Sequence, residues 1–363
     1  MAGLIGRPIE DLDTPALLLD WPAAQRNLRK MADFFRGRPA QLRPHFKNHK
    51  CSELARRQLK AGSAVGVTCA KLAEAEVLAT AGVDDILIAN QIVGPAKIDR
   101  LIALARRVPR LRVAVDDLEQ TRLLARVAEA SGLTVGVLIE IDIGMGRCGL
   151  PPGEPAVRMA AELATLKGIR LDGLQAYEGH LVAVADPQER QTRTQQAFEP
   201  ALHTRQMLVD AGLPPGIISG GSTSTYAITG RIEGIDEIQA GTYVTMDNMY
   251  RKLTPEFEVA LSVLSTVISR PRSDTNVLDV GLKGLGHEFG SPSPKEWLDG
   301  DCQSSLAEEH CIVRNGPDWR VGQKVELVPS HACTTCNLYR QLHVFEQGRI
   351  VDVWPIDASG CLT

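Results

Sequence analysis

The chain has 363 residues, 44% of them hydrophobic, 23% charged and 4% aromatic, with a formal net charge of -4. That length can bury a sizeable core as two domains or as one large barrel with an appendage, and the near-average apolar and charged fractions exclude disordered and fibrous classes. A pI near 6.1 with the two signs interspersed argues against nucleic-acid and membrane-surface partners.

No apolar run approaches the roughly 18 residues that a membrane span requires. The N-terminal MAGLIGRPIEDLDTP lacks the basic-then-apolar pattern of a signal peptide, which points to the cytoplasm. There the eight cysteines, Cys51, Cys69, Cys148, Cys302, Cys311, Cys333, Cys336 and Cys361, read as thiols rather than a disulfide framework.

In chain order the predicted strands are Ala16–Asp20, Leu42–Lys47, Ala64–Cys69, Asp85–Asn90, Arg112–Asp117, Thr134–Asp142, Leu171–Tyr177, Gly216–Ser222 and Glu237–Tyr243. They are continuous apolar runs, as strands buried on both faces are. Helix-length segments lie between them; in one, Ile98, Leu101, Ile102 and Ala105 repeat at helical spacing. The alternation implies a parallel α/β sheet. Nine strands are one too many for a (β/α)8 barrel, so the first would pair elsewhere; an open doubly wound sheet competes, although no GxGxxG follows an early strand. After Tyr250 the runs Val259–Ile268, Asn276–Asp279, Gln323–Val328 and Leu342–Phe345 follow one another without helices, which predicts an antiparallel β-domain. Gly284–Glu309 reads as a long loop. The expected division is residues 1–250, a barrel, and residues 251–363, a β-domain.

Four clusters carry candidate chemistry. In Arg43-Pro44-His45-Phe46-Lys47-Asn48-His49-Lys50, Lys47 ends a buried strand, where a barrel points side chains into its mouth. A partly desolvated lysine among cations is a usable nucleophile for Schiff-base chemistry; a basic patch capping a strand is the plainer reading. In Asp142-Ile143-Gly144-Met145-Gly146-Arg147-Cys148-Gly149, the glycines allow close backbone approach and Arg147 can donate to an anionic oxygen, or the segment is a turn with a solvated arginine. Ser219-Gly220-Gly221-Ser222-Thr223 and Ala240-Gly241-Thr242-Tyr243 follow the last two barrel strands, a common phosphate cradle, though a Gly-Gly pair alone marks only a turn. In Pro329-Ser330-His331-Ala332-Cys333-Thr334-Thr335-Cys336, His331 and Cys333 would share one face of a strand and suit Zn2+, or are a core histidine and a buried thiol.

Together these motifs resemble the fold-type III pyridoxal-phosphate enzymes, the alanine-racemase-like class, and within it the D-threonine aldolase and D-serine dehydratase branch. The likeness runs through DTPALLLD, RPHFKNHK, QIVGPAKIDRL, EIDIGMGRCG, QAYEGH, SGGST, QAGTYVTMD, DVGLKG, EEH, VPSHACTT and VWPIDASG. It implies a (β/α)8 barrel followed by a β-domain. It implies that Lys47 holds pyridoxal phosphate as a Schiff base, that Arg147 faces the cofactor's phenolic oxygen, and that Tyr177 is a cofactor residue. Ser222, Thr223, Gly241 and Thr242 match the phosphate-binding stretches, and Gln239 stands where alanine racemases place an arginine against the pyridine nitrogen. His331 and Cys333 match the divalent-metal ligands, with Zn2+ favoured by the thiolate and Mn2+ the alternative. The β-domain of one subunit often closes the other's site in such enzymes, so a homodimer is implied.

Two positions depart from the aldolase pattern. Cys333 stands where D-threonine aldolases carry an aspartate, and Ala183 where they carry a histidine six residues after the QAY tyrosine. His180, three residues after Tyr177, follows the Gly-His of the dehydratase branch. The resemblance therefore implies a lyase acting on D-3-hydroxy amino acids. It would make glycine and an aldehyde by retro-aldol cleavage, with His180 or a hydroxide on the metal as base; the alternative is dehydration of D-serine or D-3-hydroxyaspartate to a 2-oxo acid and ammonia. A racemase needs a second base and no metal, and a non-catalytic cofactor carrier lacks so large a β-domain; both fit less well.

Overall fold

The computed structural model describes residues 3–214 and 216–363. Its first strand, β1 (Ala16–Asp20), is followed by eight parallel strands: β2 (Gln41–Leu42), β3 (Val67–Cys69), β4 (Asp85–Gln91), β5 (Arg110–Val115), β6 (Val135–Ile141), β7 (Ile169–Ala176), β8 (Ile217–Gly220) and β9 (Glu237–Ile238). The eight form one sheet in the order β2-β9-β8-β7-β6-β5-β4-β3. Its two ends meet: parallel bridges join Leu42 to Ala64 and His45 to Thr68, and Thr68 N–H donates to Pro44 O at 2.9 Å. The sheet is thus a closed (β/α)8 barrel. All seven residues of β6, VGVLIEI, are buried, the pattern of a strand covered on both faces.

The helices follow from local chemistry. Asp117 caps Leu118–Ala130 by accepting from Gln120 N–H, and Asp186 caps Pro187–Asp210 by accepting from Glu189 N–H. In Pro95–Ala105 the helical stripe Ile98, Leu101 and Ile102 is buried.

At the amino ends of the strands the barrel is closed by charges rather than by apolar side chains. Arg43, 1% exposed, donates Nε and Nη2 to Glu237 at 2.7 Å each and Nη1 to Asp85 at 2.6 Å. Gly66 makes room for it; a Cβ there would stand 2.3 Å from Arg43 Nη1. With that end filled, ligands are left the opposite, carboxyl-terminal mouth, where barrel chemistry resides.

The remaining strands are β10 (Leu261–Arg272), β11 (Thr275–Leu278), β12 (Ser293–Pro294), β13 (Gln303–Leu306), β14 (Cys311–Arg314), β15 (Lys324–Val328), β16 (Gln341–Glu346) and β17 (Arg349–Pro355). They form a second, nine-stranded sheet with β1, which pairs antiparallel to β10 and parallel to β16. Every other pairing in this sheet is antiparallel. Ile9, Leu12, Ala16, Leu18, Leu264, Phe345 and Ile350 form one of its apolar clusters.

The chain separates into two compact units that interleave along the sequence. One comprises Met1–Met31, Asn48–Leu54 and Thr242–Gly360; the other comprises Ala32–Lys47, Ala55–Gly241 and Cys361–Thr363.

Several sequence expectations need correction. The strand expected over Leu42–Lys47 loses regular pairing at Pro44, which has no N–H to donate, and Phe46–Asn48 is one turn of 3-10 helix. The run Glu237–Tyr243 shortens to β9, and Thr242–Val244 coils likewise. Gly284–Glu309 is no single loop: it holds β12, a turn at Lys295–Trp297 and β13, whose Gln303-Ser304-Ser305 lacks an apolar alternation to betray it. The segment after Pro329 is a helix, Ala332–Leu338, and not a strand.

Candidate functional site

In the barrel unit, three expected residues converge. The Tyr177 ring, just beyond β7, has the Lys47 ammonium 5.9 Å from its centroid and the Arg147 guanidinium carbon 5.4 Å from it. Lys47 is half-buried in the turn after β2, where its N–H lies 3.4 Å from His45 Nδ1. The loop that carries Arg147 is tied down by carboxylates. Asp142 accepts from Gly144 N–H and Gly146 N–H at 2.9 and 3.1 Å, and Asp116 accepts from Gly149 N–H at 2.9 Å. Gly144, Gly146 and Gly149 all have φ between +64° and +116°, the region that favours glycine, which explains the spacing of GMGRCG.

A polar chain runs across the barrel strands; Gln239 in it is an expected cofactor residue, whereas Glu140 with its partners Gln91 and Gln175 was missed by the sequence reading. Gln91 Nε2 and Gln175 Nε2 donate to Glu140 Oε2 at 2.6 and 3.1 Å, and Gln239 Nε2 donates to Ser219 Oγ at 2.9 Å. Burial pushes the Glu140 carboxyl up from its ordinary value, while the two amides and the charge of Arg147 pull it back. The one hint in the sequence is a charged residue inside the apolar run VGVLIEI.

Ser222 and Thr223 lie in the turn after β8, and Glu178 lies behind that turn, fully buried. Its carboxylate accepts from Thr225 Oγ1 at 2.6 Å, Thr229 Oγ1 at 3.0 Å and Gly221 N–H at 3.1 Å. Gly221 sits at φ +81°, and a Cβ on it would stand 2.9 Å from the Ile238 side chain. Nothing larger than glycine fits that bend. A small-residue turn with hydroxyls at the carboxyl mouth of a barrel suits a phosphate group, and a lysine, an arginine and an aromatic ring beside it suit a charged planar cofactor.

His180 is exposed in the turn Gly179–Leu181, with its ring 3.0 Å from where a Gly144 Cβ would stand. Burial and then the charge of Arg193 push its imidazole below 6.5, against the opposing pull of Asp142. The ring is therefore biased toward the neutral form that acts as a base.

In the β unit, His331 and Cys333 belong to the start of a short helix rather than to a strand. The helix forms because Asp247 Oδ2 accepts from Ala332 N–H at 2.9 Å and Thr335 Oγ1 donates to His331 O at 2.8 Å. Asp247 Oδ2 also lies 3.2 Å from His331 Nδ1, and the ring makes a second hydrogen bond to the Cys333 side chain. The first contact is how a carboxylate orients a metal-binding histidine. The ring is further held edge-on by Phe289, with centroids 4.9 Å apart. Burial lowers the His331 pKa, but Cys333 and Asp247 outweigh it and carry the ring to about 11. Asn48 Nδ2 lies 3.6 Å from Cys333 Sγ and 3.5 Å from Thr242 Oγ1, so Thr242 shares this unit while Gly241 belongs to the barrel unit. Imidazole and thiol are a donor pair that suits a divalent metal with open positions. Among the described residues, no group of three His, Cys, Asp or Glu could hold a metal. Asp247 stands inside QAGTYVTMD, so its position was visible but its task was not. Among the described residues, no helix is long and apolar enough to cross a membrane.

Residues 19–249 match the alanine racemase N-terminal domain, and residues 260–345 match a putative serine dehydratase domain. A D-threonine aldolase from Arthrobacter sp is 36% identical over 98% of this chain and 95% of its own length. The crystal structure of D-threonine aldolase from Filomicrobium marinum superposes with a TM-score of 0.95 at 38% identity, covering 99% of both chains. D-threo-3-hydroxyaspartate dehydratase, solved as a cysteine-to-alanine mutant in the metal-free form, superposes with a TM-score of 0.86 at 27% identity, covering 96% of this chain and 98% of its own.

Proposed function

From a chain that belongs to the alanine racemase N-terminal domain family, we propose a pyridoxal-phosphate- and divalent-metal-dependent lyase that cleaves D-3-hydroxy amino acids of the D-threonine type to glycine and an aldehyde. One observation carries the reading: the cations of Lys47 and Arg147 flank the Tyr177 ring at the carboxyl mouth of the barrel. Lys47 would hold the cofactor covalently, and Tyr177 would cover its ring. Arg147 would neutralise its phenolic oxygen, and Gln239 would meet its ring nitrogen. Ser222, Thr223, Gly241 and Thr242 would hold its phosphate. When bound, pyridoxal phosphate supplies an electron sink for the pair left on the substrate's Cα.

His180 would take the proton from the substrate's 3-hydroxyl, since only a deprotonated oxygen can become the aldehyde as Cα–Cβ breaks. His331 and Cys333 would hold the metal, Zn2+ before Mn2+, and a Lewis acid there lowers the hydroxyl pKa. A dehydratase is the second reading, with Lys47 taking the Cα proton. It is favoured by Cys333 in a position where aldolases carry aspartate, and by the likeness to a D-threo-3-hydroxyaspartate dehydratase. The same family reading makes the protein a cytoplasmic homodimer, for which light scattering should return twice the 39.4 kDa chain mass.

The deciding experiment incubates the purified protein with D-threonine, D-phenylserine and D-serine, with and without chelator. Glycine and aldehyde in equal amounts are expected. Oxo acid and ammonia without glycine would replace the aldolase by the dehydratase.

A further inference from the structure

We propose that Glu178 is the positioning residue of the phosphate-binding turn, a role that rests on the cofactor reading above and assigns it to a side chain that would not touch the cofactor. Glu178 is 0% exposed, yet three hydrogen bonds from outside its own residue converge on it. Gly221 N–H anchors the start of the turn to Oε2, and the Thr225 hydroxyl anchors its end to Oε1. The Thr229 hydroxyl, one helical turn further on, joins the same oxygen. Thr225 Oγ1 in turn accepts from Ser222 N–H at 3.0 Å, so the hold of Glu178 reaches the residue between the anchors. Ser222, Thr223 and Ser224 are therefore spanned between two points fixed by one side chain.

No neutral apolar residue can replace that hold. Removing the carboxylate would strand a backbone N–H and two hydroxyls among buried residues, and the turn would reorganise to satisfy them. Glu178 also follows Tyr177 directly, so the residue that covers the cofactor ring and the residue that shapes the phosphate turn are neighbours on one strand end. A change at Glu178 is expected to act on the phosphate and to leave the lysine and ring contacts in place.

The test compares pyridoxal 5'-phosphate with pyridoxal, which lacks the phosphate, on the full chain stripped of cofactor. Equilibrium affinities are measured for wild type, Glu178→Gln and Glu178→Ala, with thermal unfolding of each. Glu178→Ala should lose about tenfold or more in affinity for pyridoxal phosphate and about threefold or less for pyridoxal, and Glu178→Gln should recover part of the loss, because its carbonyl still accepts from the turn. Equal losses for both ligands would show a merely structural residue and overturn the proposal. So would unchanged affinity for both. If Glu178→Ala does not fold, the ratio of the two affinities in Glu178→Gln decides. Failure of wild-type protein to prefer pyridoxal phosphate over pyridoxal would instead overturn the cofactor reading itself.

Discussion

Replacing Arg43 tests whether charge holds the closed end of the barrel. Its guanidinium makes three charge-assisted hydrogen bonds of 2.6 to 2.7 Å to Glu237 and Asp85, whose side chains are 8% and 9% exposed. Arg43→Met keeps much of the volume but leaves two carboxylates buried without their main partner. Breaking a buried pair in this way costs about 3 to 5 kcal/mol. Arg112 offsets part of it, since its Nη1 stands 3.6 Å from Asp85 and 3.8 Å from Glu237 and makes no hydrogen bond of its own. The expected loss is therefore near the lower end, about 3 kcal/mol. Urea unfolding followed by far-ultraviolet circular dichroism measures it. Neutralising the acids as well, in Arg43→Met/Asp85→Asn/Glu237→Gln, should return part of the stability. A single Arg43→Met variant within about 1 kcal/mol of wild type would refute the argument that stranded charge dominates.

Other outcomes follow from the two groups of candidate site residues. Lys47→Ala should abolish the visible absorbance of lysine-bound cofactor, and absorbance that persists would mean that another lysine holds it. His180 is a base when neutral, and its pKa lies below 6.5, so activity should fall only as pH drops below that value. His180→Ala should lower kcat by about a hundredfold or more and remove that acid limb; an unchanged limb would assign it to another group. Asp247→Asn should weaken metal binding by about 10- to 100-fold in competition with a chelator, because the carboxylate orients His331; undiminished affinity would count against that role.

Much of the architecture was legible because it repeats. Apolar runs spaced by helical stretches announced β4 through β8, and the surplus of strands over the barrel's eight flagged β1, which pairs with β10 and β16. Those signals are periodic in sequence, and burial on both faces leaves little freedom in residue type. The edge strand β13 and the helix at Ala332–Leu338 were not legible. The first is mostly polar, and the second owes its start to Asp247, a residue 84 positions before His331.

Motif and period by themselves determined a parallel α/β sheet, the antiparallel partner domain and Lys47, Arg147, His331 and Cys333 as candidates, since both are local properties of a chain; the family resemblance added the barrel rather than an open sheet, and Tyr177 and His180. Only the tertiary structure decided what surrounds them: Lys47 and Arg147 on one aromatic ring, Glu178 behind the Gly221 turn, Glu140 between two amides, and Asp247 against His331. Hydrogen bonds to a buried carboxylate join residues distant in sequence, and their donors carry no pattern that a linear reading can find. The charge must be satisfied wherever the fold buries it, and the fold alone chooses the partner.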